Sequence, residues 1–342
     1  MAQAATAGKA PYVRTEDRRL FFTAVAAHGG ARVFSKVISS PLERVKVCFQ
    51  VAAPPRPGGQ AVRPGFGKTF RFCSEVVASQ GCWKGMESLW RGTGTHLGRV
   101  CIGGVTRLGV LRTSQMWAMP GTDRQYRGLG AYARRCAFLY AASAVALLVA
   151  YPLDVAYTCI AADCASPRRY RGPLNFLRLT WREHGVLSFY RGLPLCLATA
   201  VPFVLVATAV HDLLAPRLLQ RMGEAPPVDV RAAQPGDLFW LVRQGAPIHL
   251  FPWNLMVGAA SGFVAQSVTY PLDTLRRRWQ HACAGPRADV PKDIREFSRG
   301  IYREGGWRAF YGGFWVNAAK LLPELWALSG AYLLIFASGN FV

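Results

Sequence analysis

Three stretches decide the architecture: Ser40-Pro41-Leu42-Glu43-Arg44-Val45-Lys46, Tyr151-Pro152-Leu153-Asp154-Val155-Ala156-Tyr157 and Tyr270-Pro271-Leu272-Asp273-Thr274-Leu275-Arg276. In each, a carboxylate follows a proline by two residues. In the first and third a base stands three residues further on. The prolines lie 111 and 119 residues apart in a chain of 342. An aromatic residue closely followed by glycine comes after each motif, as Trp90-Arg91-Gly92, Tyr190-Arg191-Gly192 and Tyr311-Gly312-Gly313, with Gly92, Gly192 and Gly313 standing 40 to 51 residues after the prolines. One such motif arises by chance. Three in phase, each with the same second signal, mark a unit of about one hundred residues repeated three times.

Composition bounds what such a repeat can be. Apolar residues make up 51%, mean hydropathy is +0.14, and 41 Lys and Arg against 19 Asp and Glu leave a formal charge of +22. Soluble nucleic-acid binders carry such charge but are seldom so apolar, so no nucleic-acid partner is expected. An apolar chain with a basic surface fits a membrane with anionic lipids or an anionic solute. Nine cysteines are scattered without CxxC or Cys/His spacing and read as free thiols. The six histidines show no metal spacing, and no catalytic constellation emerges, so neither an enzyme nor a metal or cofactor is expected. Met1 to Arg19 has no apolar core with a cleavage site, and Glu16 and Asp17 argue against an organelle presequence. No clean run of twenty apolar residues occurs. Half-polar spans of this kind fit helices that line a water-filled cavity and show lipid only their outer faces.

The repeated motif has a physical use. Proline removes a backbone hydrogen bond and bends a helix, while an acid at +2 and a base at +5 share one helical face. Under threefold pseudo-symmetry those faces converge on the axis. The acid of one repeat then meets the base of the next, in a ring that opens when substrate contributes enough differential binding. Counting seven residues past Gly92, Gly192 and Gly313 reaches Arg99, Thr199 and Lys320, each roughly 10 Å into its helix. Lys36, five residues before the first kink, should lie at similar depth. Cations at one depth in an apolar span suit a water-filled cavity and a phosphate-bearing anion.

This pattern resembles the mitochondrial carrier family over about Ala24 to Phe336. Ser35-Lys36, Pro41 to Lys46, Tyr151 to Asp154 with Ala161-Ala162-Asp163, and Asp273-Thr274-Leu275-Arg276-Arg277-Arg278 are most similar to its ADP/ATP carrier branch. The resemblance implies an all-α membrane protein. Six transmembrane helices in three pseudo-symmetric repeats would surround a central cavity, with short matrix helices. Expected odd helices are Thr23 to Gln50, Arg135 to Ala161 and Trp253 to His281; even ones are Gly92 to Ala118, Gly192 to Leu214 and Gly313 to Phe336. The corresponding division is an N-terminal segment 1–22, repeats 23–118, 119–215 and 249–342, and an inserted loop 216–248; a second Pro/Gly-rich insertion spans Ala52 to Pro64.

By the same resemblance the matrix gate would pair Asp273 with Lys46, Asp154 with Arg276, and Glu43 with position 157. That position holds Tyr157, whose phenol is expected to donate a hydrogen bond to Glu43. Gln50 and Gln280 are expected to brace two of these pairs. Lys36, Arg99 and Lys320 match phosphate-binding cations, Arg277 the middle of a triple arginine, and Thr199 with Ala200 complete the substrate-binding set. Trp279-Gln280-His281 replaces the branch's methionines, and Phe203, Val204, Ala207 and His211 stand where it has an aromatic ladder and an arginine. On the cytosolic side Arg112 and Asp212 remain, while Gln115, Ala215, Leu333 and Phe336 replace the other gate charges. Gly92, Gly172, Gly192 and Gly313 are the expected cardiolipin contacts, with the third repeat's site weakened by Gly312.

Three functions therefore stand open. The chain is an adenine-nucleotide (ADP/ATP) exchanger working by alternating access, a carrier of another anionic metabolite, or a transport-impaired carrier-fold subunit partnering a respiratory complex. All three place it as a multi-pass protein of the mitochondrial inner membrane.

Overall fold

A computed structural model describes residues 15–51, 86–118, 129–163, 169–221, 251–284 and 293–337. Six long helices dominate: α1 (Thr15–Val51), α2 (Thr93–Ala118), α3 (Leu129–Ala162), α5 (Leu193–Arg221), α6 (Phe251–Ala284) and α9 (Phe314–Ala337). Between them lie α4 (Pro173–His184) with a 3₁₀ turn at Val186–Tyr190, α7 (Ile294–Gly305) and the single-turn α8 (Trp307–Phe310). No strand occurs among the described residues. The matrix helix expected in the first repeat, and the insertion 52–64, lie outside them, as does most of 216–248.

The six helices close a ring. α1 packs chiefly on α9, α2 on α3, and α5 on α6, so the broadest contacts join different repeats rather than the two helices of one. In addition α1, α3 and α6 touch one another. These are the helices that carry Pro41, Pro152 and Pro271 within their length. Proline leaves one backbone hydrogen bond unmade in each, and residues just beyond it on the three helices meet one another through ion pairs.

Small residues let the ends close. Gly313 has φ +78, and a Cβ on it would lie 3.2 Å from the Lys46 carbonyl oxygen; one on Gly312 would lie 2.9 Å from that of Phe49. The start of α9 is thus pressed against the backbone of α1. Gly192, at φ +100, is crowded in the same way by Trp279, whose Cδ1 would stand 2.8 Å from an added Cβ. Trp279 packs edge-on against Phe297 of α7 at 5.3 Å. The residue that replaces the expected methionine therefore wedges α6 between the second and third repeats.

Outer faces are apolar and open: Val145, Leu148 and Val149 on α3, and Trp315, Leu322 and Trp326 on α9, are all exposed. Stripes of this kind meet lipid. By length and composition alone only residues 132–162 and 186–214 would cross a membrane among those described. The other helices carry their polar groups on the inner side.

The helix ends differ from the expected ones in one respect that matters. α5 runs on to Arg221, past the boundary drawn before Pro216. Membrane helices tolerate proline where neighbours satisfy the freed carbonyl, so Pro216 does not stop this one. α1 and α3 also begin earlier than expected, at Thr15 and Leu129.

Candidate functional site: a ring of shared carboxylates

The three motif acids meet where the odd helices converge, and each is shared by cations from more than one helix. Asp154 pairs with Arg276 of α6 and, through Oδ1, with Arg99 Nη1 of α2 at 3.0 Å. Asp273 Oδ2 lies 3.5 Å from Lys46 Nζ of α1 and 3.4 Å from Arg277 Nε on its own helix. Two of the three expected gate pairs are therefore present.

Both glutamines stand against these acids. Gln50 Nε2 donates to Asp273 Oδ2 at 3.0 Å, and Gln280 Nε2 to Asp154 Oδ2 at 3.0 Å. Thr158 Oγ1 donates in turn to Gln280 Oε1 at 3.2 Å, which orients the amide. Tyr270 donates to the Gly312 carbonyl at 2.8 Å and offers its ring to Lys46 Nζ at 5.3 Å. Arg278, the last of the arginine run, donates to the Gln50 carbonyl at 2.8 Å and pairs with Glu304 of α7 at 2.6 Å. Three consecutive arginines thus point to three partners, because successive residues on a helix face about 100° apart.

The third lock corrects the expectation from sequence. Tyr157 makes no hydrogen bond to Glu43. Its ring is buried, packs against His96 with centroids 4.7 Å apart, and lies beside Gly92. Glu43 instead forms an ion pair with Lys320 of α9, with Lys36 Nζ 3.5 Å away. Lysine reaches where phenol does not, because its four-carbon stem spans the gap and a charged donor binds a carboxylate more strongly than a neutral one.

A second correction concerns the substrate cations. Lys36, Arg99, Arg277 and Lys320 are brought together as expected, but none is an open cation. Lys36 Nζ lies 2.6 Å from Glu324 Oε1, and the other three are held by Glu43, Asp154 and Asp273. Buried ionised groups are tolerated only when paired in this way. Thr199 is nearly buried, and its hydroxyl is turned back to the Leu195 carbonyl at 2.7 Å. Ala200 beside it is partly buried.

Sequence reading missed two polar side chains at this level. His96 and Asn317 stand four residues after Gly92 and Gly313, one turn before Arg99 and Lys320, and both are buried. His96 Nε2 and both amide atoms of Asn317 find no protein partner among the described residues. Their symmetry mate is the buried thiol of Cys196. Equal spacing after the three glycines is the signal that would have found them.

The expected cytosolic-side acid lies farther along α5. Asp212 stands beside the fully buried His211, whose Nδ1 is 3.4 Å from Asp212 Oδ1. The side chains of Arg112, Gln115, Ala215, Leu333 and Phe336 lie outside the described residues. Along α5 the buried stripe is Val204, Thr208 and His211, while Phe203 is turned outward. Of the positions that depart from the branch's aromatic ladder, Val204 and His211 are therefore buried and Phe203 is not.

Of the glycines expected from sequence to contact cardiolipin, Gly92, Gly192 and Gly313 have positive φ and directly precede α2, α5 and α9. Gly172 caps α4, whose first turn has no side-chain cap. Between the first two repeats Arg91 forms a clamp: it pairs with Asp163 Oδ2 at 2.8 Å and donates to the Asp163 and Tyr170 carbonyls at 2.8 and 2.7 Å. The third repeat differs. Asp293 caps α7 and accepts from Arg295 N at 2.9 Å, so a carboxylate occupies the anion-binding end of that helix.

Six helices in a closed ring, with a proline inside each of α1, α3 and α6 and acid–base pairs where those three meet, match the threefold carrier architecture expected from the sequence. The sequence profile described as "Mitochondrial carrier protein" matches residues 18–121, 130–221 and 249–335, and the chain belongs to that family. It is 25% identical over 310 residues to the thylakoid ADP,ATP carrier protein of Arabidopsis thaliana, covering 90% of this chain and 63% of that one. It is 26% identical to the mitochondrial adenine nucleotide transporter ADNT1 of the same plant, over 87% of this chain and 82% of the relative. To the mitochondrial adenyl nucleotide antiporter SLC25A25 of Mus musculus it is 27% identical, over 91% and 58%. The chain thus spans less than two thirds of the first and third of these.

Proposed function

We propose that this protein exchanges adenine nucleotides across the mitochondrial inner membrane by alternating access. One observation carries the reading: Arg99 and Lys320, the cations placed to take phosphate, are held by the gate acids Asp154 and Glu43. A bound polyphosphate competes with these carboxylates for the same guanidinium and ammonium groups. Binding then loosens two locks at once, which is the differential affinity that shifts a two-state equilibrium. Relatives named as adenine-nucleotide carriers support the substrate class.

The test is exchange of labelled ADP and ATP by purified protein in cardiolipin-containing proteoliposomes. Arg99→Gln and Lys320→Gln should each lower the rate at least tenfold. A wild-type rate equal to that of empty vesicles for these and for other anionic metabolites would end the proposal. Cardiolipin is proposed to sit at Gly92 with Gly172 and at Gly192, not at the third repeat, where Asp293 repels phosphate.

A second reading, a transport-impaired carrier-fold subunit of a respiratory assembly, is favoured by Tyr157. The aromatic pair that Tyr157 makes with His96, where a gate base would stand, is not released by an anion as an ion pair is. Co-purification with a large complex after mild solubilisation, without uptake of any solute, would select it.

A further inference from the structure

Glu324 belongs to no gate motif, yet it holds the site's outermost cation. It stands four residues beyond Lys320 on α9, away from the convergence, and its Oε1 lies 2.6 Å from Lys36 Nζ. Glu43 is farther from that ammonium, at 3.5 Å. Ser35 Oγ donates to the Glu324 backbone carbonyl at 2.8 Å, which fixes α9 against α1 and sets the carboxylate opposite its partner. The pair is also the most accessible of the site's α1–α9 contacts. Lys36 and Glu324 side chains are 19% and 23% exposed, against 8% and 5% for Lys320 and Glu43.

Charge counting gives the pair a meaning. The ion pairs fall into two groups: Lys36 and Lys320 balance Glu43 and Glu324, whereas the four cations Lys46, Arg99, Arg276 and Arg277 face two carboxylates, Asp154 and Asp273, an excess of two positive charges. Three of those carboxylates form the locks. Glu324 alone lowers the charge without closing anything.

We infer that Glu324 is a specificity-determining residue that sets how much negative charge the transported anion carries. The inference rests on the anion-carrier reading above and deepens it. Glu324 occupies Lys36 in place of one substrate charge and repels every additional one. The site accordingly favours the less charged members of the phosphate-bearing class, AMP and ADP over ATP. One unit charge at about 8 Å, in the effective dielectric of a protein, changes affinity on the order of tenfold per added ligand charge.

The experiment measures stabilisation of detergent-purified protein by AMP, ADP and ATP without magnesium, and exchange of the same nucleotides in proteoliposomes. Glu324→Gln and Glu324→Ala should raise the ATP-to-AMP affinity ratio about a hundredfold, since ATP without magnesium carries two more charges than AMP. Glu324→Asp, which keeps the charge, and Glu183→Gln, which removes a carboxylate paired with Arg169 outside the site, should leave the ratio at the wild-type value. An unchanged ratio in both neutral variants, with wild type binding nucleotide, overturns the role of Glu324 and leaves the carrier reading standing. Folded wild type that binds none of the three overturns both together.

Discussion

Lys320 of α9 forms an ion pair with Glu43 of α1 and so completes the lock that a base at position 157 would complete in a symmetric ring. Breaking a buried pair by removing one partner costs about 3–5 kcal/mol, because the other charge is stranded. Lys320→Gln should therefore lower the melting temperature clearly, with Lys36 at 3.5 Å compensating only in part. The double variant Glu43→Gln/Lys320→Gln should melt above Lys320→Gln alone. A double variant less stable than that single one would show that the two charges are not partners.

Tyr157 contributes through its ring and not its hydroxyl. Tyr157→Phe should leave thermal stability within about 0.5 kcal/mol of wild type, whereas Tyr157→Ala, which opens a cavity beside His96 and Gly92, should cost about 3–5 kcal/mol. Calorimetry of the two proteins in one detergent checks this. A large loss in Tyr157→Phe would restore the hydroxyl to the gate.

Gly192→Ala meets three obstacles, Trp279 at 2.8 Å, the Tyr151 hydroxyl at 3.1 Å and a φ of +100. The first is relieved by shortening Trp279, but the hydroxyl contact stays, as does the backbone strain of about 1–2 kcal/mol. Gly192→Ala should thus destabilise Trp279→Ala protein less than wild type, yet still measurably. Equal losses in both backgrounds would remove the wedge assigned to Trp279.

Arg91 and Asp163 should behave as one unit. Their side chains are 10% and 7% exposed and meet at 2.8 Å, so a double-mutant cycle with Arg91→Gln and Asp163→Asn should give a coupling of about 1–3 kcal/mol. Additive losses would mean that the clamp between the first two repeats is incidental.

Much of this architecture was legible from residues alone. Pro41, Pro152 and Pro271, with the acids two positions on, mark where α1, α3 and α6 meet, because one motif recurring in phase in three repeats brings equivalent faces to a common axis. Gln50 and Gln280 were found by the same counting. Partner choice was not legible where it depends on reach between distant helices. Nothing local to α1 or α9 says that Lys320 arrives at Glu43 before any group at 157 does. Glu324 escaped notice because it sits outside every repeated motif, in a helix that otherwise reads as apolar. Asp163 was visible only as part of a resemblance, and its partner Arg91 was assigned to a lipid signal. Pro216 read as a stop because proline usually is one in water.

The seam between α1 and α9 has a consequence for biogenesis. Gly312 and Gly313 nestle on carbonyls of Lys46 and Phe49, and some 260 residues separate these surfaces along the polypeptide, a span whose closure is entropically slow. That side of the opening helix accordingly has to remain uncovered in the bilayer until the sixth has inserted, which makes that interval the one in which the nascent protein most needs a chaperone.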